Sequence, residues 1–145
     1  MQDRPSVPEA LEAVRDFLAR ELLPTLSDPR LRYHLQIALN VLRIVEREAE
    51  GEDARLRAEH AALRELLGQP PAAAPEDAMA LRQAVLEANR SLCARIRRGD
   101  ADEGPWRQRV VAHVEARVAE KLAVNNPAVL AAFRAEAAAA SRGDE

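Results

Sequence analysis

Three histidines, one cysteine and a row of arginines are the side chains of this 145-residue sequence best suited to chemistry. None of His34, His60 and His113 has a carboxylate three residues before it or a second histidine four residues after it. A metal centre inside a helical bundle needs Glu-x-x-His pairs, because residues three apart on facing helices converge on one ion. No such centre is expected here. Cys93 has no second cysteine with which to share a zinc ion or a disulfide. Placed near the apolar face of its helix, it reads as a buried structural thiol rather than a nucleophile. The sequence contains neither a Gly-rich phosphate loop nor a G-x-S-x-G elbow. A pairing of His34 with Glu48 fails on distance, since one straight helix would hold them about 21 Å apart. Arg98-Gly99-Asp100 and Arg142-Gly143-Asp144 spell an adhesion tripeptide, but in context they are a helix stop and a tail. No catalytic, cofactor-binding or metal-ligating residue is assigned.

Two constellations remain. At about 100° per residue, Arg32, Gln36, Asn40, Arg43 and Arg47 fall in one narrow strip of a helix. That strip holds cations and amides and no acid. Guanidinium forks grip carboxylates and phosphates through two oxygens at once, so the strip is the candidate contact for an acidic partner or an anion. A solvated face, or pairing with acids on neighbouring helices, is the plainer alternative. The second constellation is Glu48, which projects between Ile37 and Val41, with Asn89, which projects among Val85, Leu92 and Ile96. Buried polar groups need partners, so both are expected in a polar network inside the fold. Glu46, Glu48 and Glu50 crowd one helix C-terminus, and Arg30 and Arg32 the N-terminus. Both placements oppose the helix dipole, so compensating groups are expected from outside that helix.

The elements that must position these residues are helices. Residues 29–50 carry apolar side chains around well over half of a helical circumference, which predicts a central buried helix. Before it, Ser6-Val7-Pro8-Glu9 matches a capping box, and Val7, Leu11, Val14, Leu18 and Leu22 line one face until Pro24. Asp28 and Pro29 suit the cap and first position of the central helix, which Gly51 ends. A third helix runs to Gly68, a fourth spans Glu76 to Arg98, a fifth opens at Pro105, and a short last helix follows Asn125-Asn126-Pro127. The expected fold is all-α, a single five- or six-helix bundle over residues 1–135, with residues 136–145 a frayed tail. The Pro- and Ala-rich stretch 69–75 reads as a loop within that domain.

Composition narrows the function classes. Net charge is −3 and aromatics make up 3% of the chain, which leaves no electrostatic or stacking platform for nucleic acid. The lone cysteine fits a reducing compartment. The opening Gln2-Asp3-Arg4-Pro5 carries no apolar signal region, and no apolar run reaches bilayer length. A cytoplasmic protein with neither nucleic-acid nor membrane partners is expected.

The run Tyr33-His34-x-x-x-Ala38-x-Asn40-x-Leu42-x-Ile44-Val45-x-Arg47-Glu48 resembles a bacterial domain-of-unknown-function family of small helical proteins. Arg4-Pro5, Leu11-x-x-Val14-x-x-Phe17-Leu18, Leu66-Leu67-Gly68, Ile96-Arg97-x-Gly99 and Lys121-Leu122-x-Val124-x-Asn126-Pro127 are similar to it as well. The resemblance spans about Arg4 to Leu130. It departs at Ala49 and the acidic Glu50-Gly51-Glu52-Asp53, where the family continues more apolar. Such proteins are typically encoded beside aminoglycoside-phosphotransferase-like kinases and acyl-CoA dehydrogenases. The resemblance therefore implies a non-catalytic accessory subunit that supports a kinase acting on hydroxyacyl-CoA, with an acyl-CoA dehydrogenase as a second candidate partner. It implies no cofactor and no catalytic residue. A small acyl-CoA-binding protein is the alternative, and homodimerisation is compatible with either.

Overall fold

Ser6 opens the first helix with both halves of its capping box. Its backbone N–H donates to Glu9 Oε2 at 2.7 Å, and its hydroxyl accepts from the Glu9 N–H at 3.5 Å. That helix, α1, spans Val7–Phe17, widens through a π-helical turn at Leu18–Leu22 and then tightens into a 3₁₀ turn at Leu23–Thr25. The Leu23 N–H reaches back to the Leu18 carbonyl, and Pro24, having no N–H to donate, ends the ladder. Asp28 then caps α2 (Pro29–Ala49), accepting from the Arg30 N–H at 2.8 Å, with Pro29 at the first helical position. Gly51, at φ +79°, makes the left-handed turn that closes α2. Four further helices follow: α3 (Glu52–Leu66), α4 (Ala78–Arg97), α5 (Gly104–Asn125) and α6 (Pro127–Gly143). This computed structural model describes residues 4–143, which form helices and connectors and no strand. The all-α class follows the expectation from periodicity.

The chain divides into two compact units, Met1–Glu52 and Asp53–Glu145. In the first, α1 packs along α2. Leu39 is buried at the contact, with Leu11, Leu18, Leu35 and Leu42 half-buried. Arg15 of α1 spans the pair, its Nε donating to both oxygens of Glu46 at 2.8 and 3.1 Å. The compensation that Glu46 needs at its helix C-terminus thus arrives from a neighbouring helix.

The apolar core lies in the second unit. Leu63 and Leu66 from α3, Leu81, Val85, Ala88 and Leu92 from α4, and Val110 from α5 form one buried cluster. Leu63 and Leu81 have no exposed surface at all. Trp106 closes one side of it, donating its indole N–H to the Leu66 carbonyl at 2.9 Å while the Arg95 guanidinium stacks 4.0 Å above its ring. Val124 and Leu130 are buried where α5 meets α6.

The expectation of a buried central helix at 29–50 is corrected on this point. Of α2 only Leu39 is buried, while Leu31, Ile37, Val41 and Val45 are 42–51% exposed. A broad apolar circumference calls for neighbours on several sides, but α1 covers one side. The break between compact units falls at Glu52, not in the proline-rich stretch 69–75. α6 runs on through 136–143, as an Ala-rich sequence of high helix propensity allows, and residues 144–145 of the expected tail lie outside the described residues.

The location of the core has a measurable consequence. Leu63→Ala should lower the free energy of unfolding by about 2–5 kcal/mol, because it empties a fully enclosed site. Val41→Ala, on the exposed side of α2, should change it by no more than about 0.5 kcal/mol in the same urea titration.

Candidate functional site

The arginine strip rides on α2, whose i, i+4 geometry keeps Arg32, Gln36, Asn40, Arg43 and Arg47 on one side. Arg32, Gln36, Asn40 and Arg43 are exposed, and their side chains have no hydrogen bond or ion pair among the described residues. Arg47 is half-buried. Beside the strip runs an apolar band of Tyr33, Ile37, Val41 and Val45, exposed by 61%, 46%, 51% and 42%. Isolated exposed apolar residues are ordinary, but a continuous band flanked by cations has the composition of a contact surface.

The two residues expected in a buried network part company. Glu48 is exposed, because the Ile37 and Val41 face into which it projects is itself exposed. Asn89 is half-buried on α4, where its amide donates to Glu59 Oε1 at 2.8 Å and to the Val85 carbonyl at 3.2 Å. Cys93 is exposed rather than buried: it follows Leu92 by one residue, a rotation of about 100° that carries it off the core side. His34 is exposed beside the Tyr33 ring, with centroids 6.2 Å apart.

A second polar constellation, not singled out by the sequence reading, lies where α3 and α5 pack in the second unit. Arg109, His113 and Arg117 are spaced four residues apart and form a row on α5. With Ala62, Ala112 and Ala116 they line an open groove of about 350 Å³. Nε2 of His113 and Nε and Nη1 of Arg117 are enclosed and have no hydrogen-bond partner among the described residues. Each such atom costs about 1–3 kcal/mol of lost hydration. Arg117 Nη2 pairs with Glu120, and Arg109 Nη2 lies 3.2 Å from the Glu65 carbonyl and 3.5 Å from its carboxylate. Burial, and then the positive charge of Arg117, push the His113 pKa below its ordinary value, against smaller pulls from Glu59 and Glu120. The four-residue spacing places the three on one side of α5, with Ala112 and Ala116 directly before His113 and Arg117, but this alone does not set them apart from a solvated row.

Among the described residues there is no group of three or more His, Cys, Asp or Glu side chains that could hold a metal, and no helix long and apolar enough to cross a membrane. The fold and both surfaces define a small helical domain with exposed cationic positions. The chain belongs to the DUF6285 family, a domain of unknown function, which matches residues 24–129. No curated protein and no solved structure matches it. The matched stretch takes in both the α2 strip and the α5 row, and leaves α1 outside.

The state of His113 is open to measurement. Its folded-state pKa is lowered, so the unfolded chain binds the proton more readily. Stability should therefore fall as pH drops below the unfolded value of 6.5 and level off below the folded one. Unfolding of the wild type and of His113→Leu should diverge across that window, with the variant showing the flatter profile.

Proposed function

We propose that this protein is a non-catalytic accessory subunit that binds and supports an aminoglycoside-phosphotransferase-like kinase acting on a hydroxyacyl-CoA, in the cytoplasm of a bacterium. An acyl-CoA dehydrogenase of the same catabolic route is the second candidate partner. The observation that carries the reading is the α2 surface, where exposed Arg32 and Arg43 stand beside the exposed band of Tyr33, Ile37, Val41 and Val45. Apolar area gains by leaving water, and charged neighbours set partner and register, so this surface suits a protein with an acidic-rimmed apolar patch. The resemblance over Arg4 to Leu130 supplies the identity of that partner.

Co-expression with the neighbouring kinase, followed by size-exclusion chromatography and a kinase assay on hydroxyacyl-CoA, tests the reading. Co-elution with raised kinase activity is the expected result, and separate elution with unchanged activity would sink it. Within the complex, replacing Arg32, Arg43 and Arg47 together by Ala should weaken binding at least about tenfold, roughly the loss of one or two charge-assisted contacts. The circular dichroism of the variant should match the wild type, and an unaltered affinity would remove the strip from the interface. Calorimetric titration of the isolated chain with CoA thioesters separates the alternative: saturable heat would make the protein an acyl-CoA binder in its own right.

A further inference from the structure

We infer that the groove between α3 and α5 is a binding site for a small oxyanion, a carboxylate or phosphate group, held by Arg109, His113 and Arg117. The site lies wholly within the second unit and owes nothing to the α2 surface.

Three features of the groove carry the inference. Arg117 has only 18% of its side chain exposed, yet its Nε and Nη1 atoms have no acceptor, and neither does Nε2 of His113 one turn away. Donors withdrawn from water are normally paired. The two Arg117 nitrogens can only donate, and His113 Nε2 joins them in its Nε2–H tautomer, so one acceptor group meets all three. The floor of the groove is built from Ala62, Ala112 and Ala116, which have no atoms beyond Cβ to fill it. A rotation of the Arg117 guanidinium about its terminal torsions therefore turns the unpaired edge into open space. At the exposed end, two turns away on the same side of α5, Arg109 adds a second guanidinium, 51% exposed, and a guanidinium fork binds an oxyanion through two oxygens.

The acids around the site do not fill this role. Glu120 takes Arg117 Nη2 and leaves the other two nitrogens unpaired. Glu65 approaches Arg109 only to 3.5 Å, with 83% of its side chain in solvent, so an entering anion displaces it easily. Glu59 is engaged by the Asn89 amide at 2.8 Å.

The test is a titration of the full chain with inorganic phosphate and, separately, with acetate, followed by NMR of the histidine ring protons. A saturable shift of the His113 resonances, with a dissociation constant of about 1 mM or tighter and with His34 and His60 unmoved, is expected for one of the two anions. The anion that saturates identifies the source as phosphate or carboxylate. Arg117→Met should abolish the shift. Because Arg117 is largely enclosed, Arg109→Gln at the exposed rim provides a second variant that does not disturb packing, and it should weaken binding several-fold. Linear, non-saturating shifts for both anions, or equal binding in wild type and Arg109→Gln, would overturn the assignment.

Discussion

Leu63 and Leu81 are sealed from solvent, and the arrangement of α3, α4 and α5 depends on keeping them so. Two helices in contact leave an apolar side chain open along its flanks. A third helix closes them, which is why Val110 of α5 joins the cluster and why the connectors must bring α5 back. The connector between α4 and α5 is held by charge and backbone geometry. Arg95 donates to Asp100 at 3.0 Å while its guanidinium covers Trp106, so one side chain ties the end of α4 to the start of α5. Gly99 makes this turn possible at φ +87°, with a side chain there reaching 2.9 Å from Asp102 Oδ2. Trp106 completes the enclosure by giving its indole N–H to the Leu66 carbonyl at the end of α3, where helix geometry leaves carbonyls unpaired.

Much of this was legible in the sequence, for reasons that are local. Ser6, Asp28, Pro29, Gly51 and Gly68 act within a few residues of where they stand, so the ends of α1, α2 and α3 could be read from them. Leu63 and Leu66 share one face of α3, and Leu81, Val85 and Leu92 one face of α4, in sequence as in the structure. What periodicity does not report is which apolar face finds a neighbour. Residues 29–50 have the broadest apolar coverage of any stretch, yet α2 buries only Leu39, whereas α3, with a narrower stripe, buries His60, Leu63 and Leu66. Apolar width measures how much contact a helix can accept, and packing decides how much it receives.

The polar positions divide in the same way. Glu46 stood against its helix dipole, and the partner this requires is Arg15, 31 residues earlier in the chain. The strip follows directly from spacing, exposed at Arg32, Gln36, Asn40 and Arg43 and half-buried at Arg47. Glu48 is exposed because the Ile37 and Val41 face into which it projects is itself exposed, and Cys93 is exposed because one position past buried Leu92 turns a side chain by about 100°. Arg109, His113 and Arg117 were overlooked for a different reason. Nothing in their spacing marks them as more than a solvated row; it is packing that encloses Nε2 of His113 and Nε and Nη1 of Arg117, while Arg109 stays half exposed.

The two units carry opposite departures from what water favours. In the first, an apolar band on α2 stays in solvent beside Arg32 and Arg43, which are exposed. In the second, Nε and Nη1 of Arg117 and Nε2 of His113 are enclosed with no hydrogen-bond partner among the described residues. Neither departure improves the isolated chain: exposed apolar area forfeits hydrophobic stabilisation, and an unpaired enclosed donor loses its hydration. Under the accessory role proposed above, the face beside Arg32 and Arg43 is completed by a protein surface of matching size with acids at its edge, because a small ligand covers too little of it. Enclosed donors one turn apart are completed by a few oxygens at short range, because a flat protein surface does not reach into a groove floored by alanine. The two surfaces therefore call for ligands of different size, and a family domain that matches both stretches has room for both.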